Sequence, residues 1–318
     1  MADLHYPRPC GCTGIRSCLV CEGKDIHVKN ASTGSEYLQA LWRYCYLCGN
    51  IQPPPNIEMG QGSTKQPTPD TVCPDHHATQ GFRLPGIQVI PEFITDEEEM
   101  EMVHMIEESP WKSSQSGRFK QDYGPKPNFK RRKVKQGGFT GLPAFSKPLV
   151  SRMTRLPTLQ DFLPVEQCHL EYTPDRGSAI DLHFDDFWLW GNRLVTINLL
   201  SDTFLFLKYE TDATSHGAPS DSGTNSYYRQ DNHDVRGQQE EWLVHELLIP
   251  MPRRSLIILS DDARYKWKHA IPREAITSQR IAVTLRELAT EFLPGGSKEA
   301  IGQELLDIAL TYEGTVVP

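Results

Sequence analysis

The 318-residue chain has no apolar run approaching the ~20 residues that a membrane-crossing helix requires; stretches such as Phe204–Leu207 and Leu256–Leu259 are strand-sized. Its start, Met-Ala-Asp-Leu-His, has neither the basic opening nor the apolar core of a secretory leader. These absences lead us to expect a cytoplasmic and nuclear protein without membrane association. In such a reducing compartment the eight cysteines serve as thiols or metal ligands rather than disulfides. Positive charge is also in deficit: 33 Lys and Arg against 41 Asp and Glu give a net charge of -8, which argues against a general nucleic-acid binder. No internal repeat is visible. A hydrophobic content of 38% is enough for a full core, and the length suggests about two domains.

What is present concentrates in the C-terminal half. His183-Phe184-Asp185 followed much later by His269 is the pattern of a 2-His-1-carboxylate triad, which holds Fe(II) by one face and leaves the opposite positions open. An HxD pair and a lone histidine also occur by chance, as core or surface residues. The run Arg280-Ile-Ala-Val-Thr-Leu-Arg286 adds weight, because its alternation predicts a strand. With a period of two, Arg280, Ala282, Thr284 and Arg286 share one face and Ile281, Val283 and Leu285 the other. If the first face is interior, its two guanidinium groups need anions, and a dicarboxylate would supply one at each end.

The HxD pair, the distant histidine and the RxxxxxR strand together resemble the AlkB family of Fe(II)- and 2-oxoglutarate-dependent dioxygenases. Gln121-Asp-Tyr-Gly124, Val165-Glu-Gln-Cys168, Gly177–Asp181, Trp188-Leu-Trp190 and Trp267–Ile271 are also similar, so the likeness covers roughly residues 85 to 315. The resemblance implies His183, Asp185 and His269 as catalytic iron ligands and Tyr172, Arg280 and Arg286 as contacts to 2-oxoglutarate. It implies oxidative removal of N-methyl groups as formaldehyde, with a methylated lysine as substrate; the implied protein partner is actin, in actomyosin function and cell division. Two alternatives stand beside this: demethylation of N6-methyladenine in nucleic acid, and a regulatory binding module that uses the Cys-rich arm. Two positions depart from the family pattern: an Asn two residues before the strand tyrosine is here Leu170, and the acidic residue of base-repair members two positions past the iron aspartate is Phe187. The segment of about 113–140, a substrate lid in the family, is basic and aromatic. We single out Arg118, Gln121, Tyr123, Lys130, Arg131 and Arg132 as lid residues, against a reading of the same segment as a solvated loop.

Cys10, Cys12, Cys18 and Cys21 form C-x-C-x5-C-x2-C, and Cys45-Tyr-Leu-Cys48-Gly is a further knuckle, to which Cys73 and His76 might add. Zn(II) suits such paired thiolates; an iron–sulfur cluster or plain thiols are the alternatives. We therefore divide the chain into a Cys-rich segment (1-51), a Pro/Gly/Ser/Thr linker (52-84), a dioxygenase domain (85-294) with a polar insertion at about 209-240, and a C-terminal helix (295-318). His216 and His233 in the insertion read as solvated.

Within the domain, Thr95-x-x-Glu98 is a capping box that opens a helix ending before Pro110, and a second helix is expected around Phe145–Met153. Strands are expected at Ile87–Ile90, Phe93–Ile94, Gln167–Thr173, Leu194–Leu200, Phe204–Lys208, Trp242–Ile249, Ser255–Leu259 and Arg280–Leu288. The tail should be a helix with Ile301, Leu305 and Ile308 inward. The expected fold is mainly β with flanking helices (α+β): a double-stranded β-helix, or jelly-roll, barrel.

Overall fold

A computed structural model describes residues 10–23, 37–54, 83–209 and 244–317. Cys73, His76, His216 and His233, nearly all of the linker and nearly all of the polar insertion lie outside the described residues. The fold is built on two large sheets. One has six strands, β1 (Trp42–Tyr44), β2 (Ile51–Gln52), β9 (Ile180–His183), β11 (Thr203–Tyr209), β12 (Glu246–Met251) and β14 (Trp267–Ile271), in the order β2-β1-β12-β11-β14-β9. The other has seven: β3 (Ile87–Ile90), β4 (Lys112–Ser113), β5 (Phe119–Tyr123), β8 (Pro164–Tyr172), β10 (Trp190–Leu199), β13 (Leu256–Leu259) and β15 (Arg280–Leu288), in the order β3-β13-β10-β15-β8-β5-β4. A separate hairpin pairs β6 (Lys126–Asn128) with β7 (Lys133–Lys135).

The expected barrel is not formed. Closure requires the first and last strands of a sheet to share a ladder, whereas each sheet here is open, ending at β2 and β9 or at β3 and β4. The architecture is a mixed α and β fold on several open sheets. The two large sheets are joined by side chains: Leu205, Leu207, Leu247 and Ile249 of the first share a core with Leu194, Ile257, Leu259 and Ala282 of the second. Phe93 and Ile94 form no strand; they sit in a turn and bury against helices.

Helices cover the far face of the seven-stranded sheet. Helix α2 (Asp96–Glu107) starts at Thr95, whose hydroxyl accepts from the Glu98 amide at 3.2 Å while Glu98 accepts from the Thr95 amide at 2.9 Å. Its Met102 and Ile106 pack with Leu149, Val150 and Met153 of α3 (Ser146–Met153) on Ile281, Val283 and Leu285 of β15. Those three residues are the apolar face that alternation assigned to the strand. Two short helices, α1 (Leu19–Glu22) and α4 (Asp261–Tyr265), cap loops.

At the C-terminus, α5 (Glu299–Ala309) turns Gly302, Leu305 and Ala309 inward and leaves Ile301 exposed, one position from the expected stripe. Gly302 shifts the stripe because a Cβ there would lie 1.9 Å from the Phe292 carbonyl oxygen. The Cys-rich segment is not separate from the sheets: β1 runs parallel to β12, and the Tyr44 hydroxyl donates to the Ile87 carbonyl at 3.1 Å.

Candidate metal centre and co-substrate pocket

His183 ends β9 and stands directly opposite His269 on β14, so one register pair brings the two imidazoles together with ring centroids 4.3 Å apart. The chain leaves regular structure after His183, and Asp185 turns back until one carboxylate oxygen lies 3.8 Å from His183 Nε2. Ligand atoms of His183, Asp185 and His269 all lie within 4.8 Å of one another. His183 Nδ1 is 2.7 Å from the Asp181 carbonyl, a bond that fixes the proton on Nδ1 and turns the Nε2 lone pair toward the cluster.

The electrostatics suit a cation. Burial first, and then the neighbouring His183 imidazole, hold His269 well below the ordinary imidazole range, so it is neutral and able to ligate. Burial alone would raise the Asp185 carboxyl, but Arg286, His269 and His183 bring it far below the usual carboxylate value. Arg286 Nε and Nη2 donate to the two Asp185 oxygens at 3.1 and 3.4 Å, and Nη1 donates to Glu166 at 2.7 Å. Burial pushes Glu166 up and Arg286 only partly opposes it, so one guanidinium serves two carboxyl groups.

Between the sheets lies a cavity of about 70 Å3 that has this cluster at one end and Tyr172 and Arg280 at the other. Arg280, Ala282, Thr284 and Arg286 all line it, as one strand face must. The two arginines differ, however. Arg286 is already paired with the carboxylates of Asp185 and Glu166. Arg280 is 2% exposed, donates through Nε to Asn198 Oδ1 at 2.6 Å, and has its guanidinium 4.9 Å from the centre of the Tyr172 ring. Among the described residues no carboxylate pairs with it, and burial pulls its pKa below the usual guanidinium value. An uncompensated buried cation at the closed end of a cavity is a fit for an anionic ligand.

Asn198 and Arg264 are site residues that the sequence reading missed. Asn198 is fully buried and spends its amide on the Ser201, Met251 and Pro252 carbonyls, so its oxygen is fixed to aim Arg280. Arg264 is 1% exposed, donates through Nη2 to the Asp185 carbonyl at 3.0 Å and stacks on Phe187 and Tyr265 at 4.8 and 5.3 Å. An inward Asn on a strand, or an Arg in an exposed-looking DDARY helix, carries no local signal of this.

The lid assignment divides. Lys130, Arg131 and Arg132 are exposed on the β6–β7 hairpin. Arg118 is buried, donates to the Gln115 carbonyl at 3.1 Å and lies 5.9 Å from the Tyr172 ring. Gln121 and Tyr123 are buried on β5, within the seven-stranded sheet. Gln121 Nε2 donates to the Ile106 and Ser109 carbonyls at 2.9 Å, and its oxygen meets His169 Nδ1 at 2.8 Å. His169 Nε2 meets Gln167 Nε2 at 2.7 Å, and Gln167 accepts from Ser146 at 2.5 Å. Each donor finds one acceptor only if His169 is neutral with its proton on Nδ1, and burial holds its pKa down to about 3.

Cys10, Cys12, Cys18 and Cys21 bring their four sulfurs within 4.8 Å of one another, a donor set that suits zinc. Cys45 and Cys48 flank the β1–β2 turn, with Cys73 and His76 outside the described residues.

No family model matches the chain. Similarity to individual proteins is extensive. The chain is 41% identical over 320 residues to a mouse protein named alpha-ketoglutarate-dependent dioxygenase alkB homolog 4, covering 99% of both chains. It is 42% identical over 318 residues to the human protein of the same name, covering 98% of this chain and 96% of that one. A Caenorhabditis elegans protein named DNA N6-methyl adenine demethylase is 32% identical over 301 residues, covering 93% of each. Among the described residues no helix is long and apolar enough to cross a membrane.

Proposed function

Because this chain belongs to the AlkB family of Fe(II)- and 2-oxoglutarate-dependent dioxygenases, we propose that its oxidative demethylation acts on an N-methylated lysine of a protein, with actin the substrate in view. His183, Asp185 and His269 would hold the iron, and Arg280 would receive a carboxylate of 2-oxoglutarate, with Tyr172 beside it. When bound, iron and 2-oxoglutarate together supply the oxidation of the methyl carbon by O2, with succinate and carbon dioxide as co-products and formaldehyde lost from the hydroxylated amine.

The residues of the chain do the positioning. Arg286 and Arg264 hold Asp185 from its side chain and its carbonyl, and the Asp181 carbonyl fixes the His183 ring. Leu170, Leu194, Ile257 and Leu259 make the cavity walls apolar, which keeps water from the reacting carbon.

Phe187 carries the choice of substrate. Where base-repair relatives place a carboxylate to read a base edge, this chain has a ring packed on Phe184 and Tyr265 at 5.1 and 5.3 Å. The adjacent Asp186 is exposed and lies outside any strand. The net charge of -8 supports the same side.

A second reading, demethylation of N6-methyladenine, is favoured by the name of the worm relative and by exposed Lys130, Arg131 and Arg132. Succinate formation by the Fe(II) protein, with methyl-lysine peptides and N6-methyladenine oligonucleotides side by side, separates the two. We expect turnover coupled to peptide; turnover with oligonucleotide alone would reverse the assignment.

A further inference from the structure

The cysteine cluster has the dimensions of a metal site. Cys10 and Cys18 sulfurs are 3.4 Å apart and Cys18 and Cys21 3.9 Å; a tetrahedral Zn(II) with Zn–S of about 2.3 Å sets its sulfurs about 3.8 Å apart. None of the four is in a disulfide. The amides of Cys12 and Cys18 donate to the sulfurs of Cys10 and Cys21, each at 3.2 Å, an arrangement that favours thiolates. Helix α1 between them has only four residues, too short to persist by its own hydrogen bonds.

The location of this knuckle gives it a second meaning. The strand β9, which ends in His183, is a sheet edge held by only two register pairs to β14, with an irregularity between them. Its approach is packed under the knuckle. Gly177 admits Leu19 so closely that a Cβ would lie 2.4 Å from Leu19 Cγ, and at Gly117 a Cβ would lie 3.0 Å from Cys18 Cβ. The turn before β5 holds the same approach, with Ser178 donating to the Gly117 carbonyl at 2.9 Å and the Ala179 amide to Ser116 at 3.0 Å, while from the knuckle itself Arg16 pairs with Asp181 at 3.4 Å. On the neighbouring strand, Arg273 follows the end of β14 and donates to both Glu22 oxygens at 2.9 Å. The knuckle therefore grips the ends of both strands that carry histidines of the cluster.

We infer that Cys10, Cys12, Cys18 and Cys21 form a structural zinc site whose occupancy holds β9 and β14 in register, and so sets the affinity of the iron site. The inference rests on the reading of His183, Asp185 and His269 as iron ligands. With so little apolar surface of its own, residues 10–23 depend on metal for their shape, and loss of the metal releases the clamp on β9. The four cysteines are thereby structural ligands and positioning residues, not catalytic ones.

The test uses the full chain. Elemental analysis should find one zinc per chain, retained in His183→Ala and lost in the Cys18→Ser/Cys21→Ser double variant. Mn(II) binding at the triad, followed by electron paramagnetic resonance in the presence of 2-oxoglutarate, should weaken at least tenfold in the double variant. Amide exchange at 178–183 should quicken by tenfold or more while 195–197 on β10 stay protected. Should the double variant fail to fold, Glu22→Gln keeps the thiols and zinc but loosens Arg273, and should weaken Mn(II) binding several-fold. Zinc-free protein with unaltered Mn(II) affinity and exchange overturns the coupling, and wild-type protein without zinc overturns the site. If wild-type protein binds no Mn(II), the triad reading fails, and exchange at 178–183 alone then decides whether zinc holds β9.

Discussion

Arg280 and Arg286 project from the same face of the same strand, six residues apart, and the fold treats them in opposite ways. Arg286 is neutralised twice over, by Asp185 and Glu166, and becomes part of the framework of the metal site. Arg280 is more enclosed still, yet meets a neutral amide, an aromatic face and the Met251 sulfur. A buried charge that the protein compensates is structure; one that it leaves uncompensated is a request for a ligand. The co-substrate pocket is polarised in this sense, with stability concentrated at one end and binding at the other.

Four substitutions probe that polarity, the largest effect first, and a pH series probes the buried His169. His269→Ala should abolish turnover, whereas exposed His104→Ala should leave it unchanged; equal losses in a succinate assay would break the metal end. Arg286→Ala should lower the unfolding free energy of ligand-free protein by about 3–5 kcal/mol, because two buried carboxyl groups lose their partner. Arg280→Ala should leave that stability nearly unchanged or raise it, and weaken 2-oxoglutarate binding by about 2–5 kcal/mol, seen by calorimetry. If the two variants behave alike in denaturant, the contrast between them is wrong.

The pH series concerns His169. Its folded pKa is held by burial to about 3, below an unfolded value of 6.5, so the unfolded chain takes up a proton first as pH falls. The stability it contributes is complete above about pH 6.5 and declines by about 1.4 kcal/mol per pH unit between there and pH 3. A His169→Gln variant should lose this part of the slope in urea titrations, and an identical slope would show that His169 charges freely in the native state.

Much of this was legible in the chain because short-range rules apply where it was read. The alternation in Arg280–Leu288 reports a strand with two environments, and Thr95 with Glu98 reports a helix start, since each depends on neighbours a few residues away. The partners of Arg286 were not legible: Asp185 lies 101 and Glu166 120 positions away, Glu166 being brought opposite by the β8–β15 register and Asp185 by the loop that follows β9 in the other sheet. The burial of Gln121 and Tyr123 was not legible because local charge was weighted above period. Phe119, Gln121 and Tyr123 alternate with Lys120 and Asp122, and in the structure the first three are buried. Sheet closure was over-read from a count of strands, which says nothing about whether the outer ones pair.

The buried chain from Ser146 through Gln167 and His169 to Gln121 also acts on folding fidelity. Gln121 faces His169 directly across the β5–β8 ladder, and its amide reaches carbonyls at the end of α2. A slip of one residue would bring Lys120 or Asp122 to that position, an ionic group where the site offers a carbonyl, an imidazole and an amide. Misregistered chains would thus carry an unsatisfied charge in their interior, so the same buried side chains that fill the core also select the register of the β5–β8 pair.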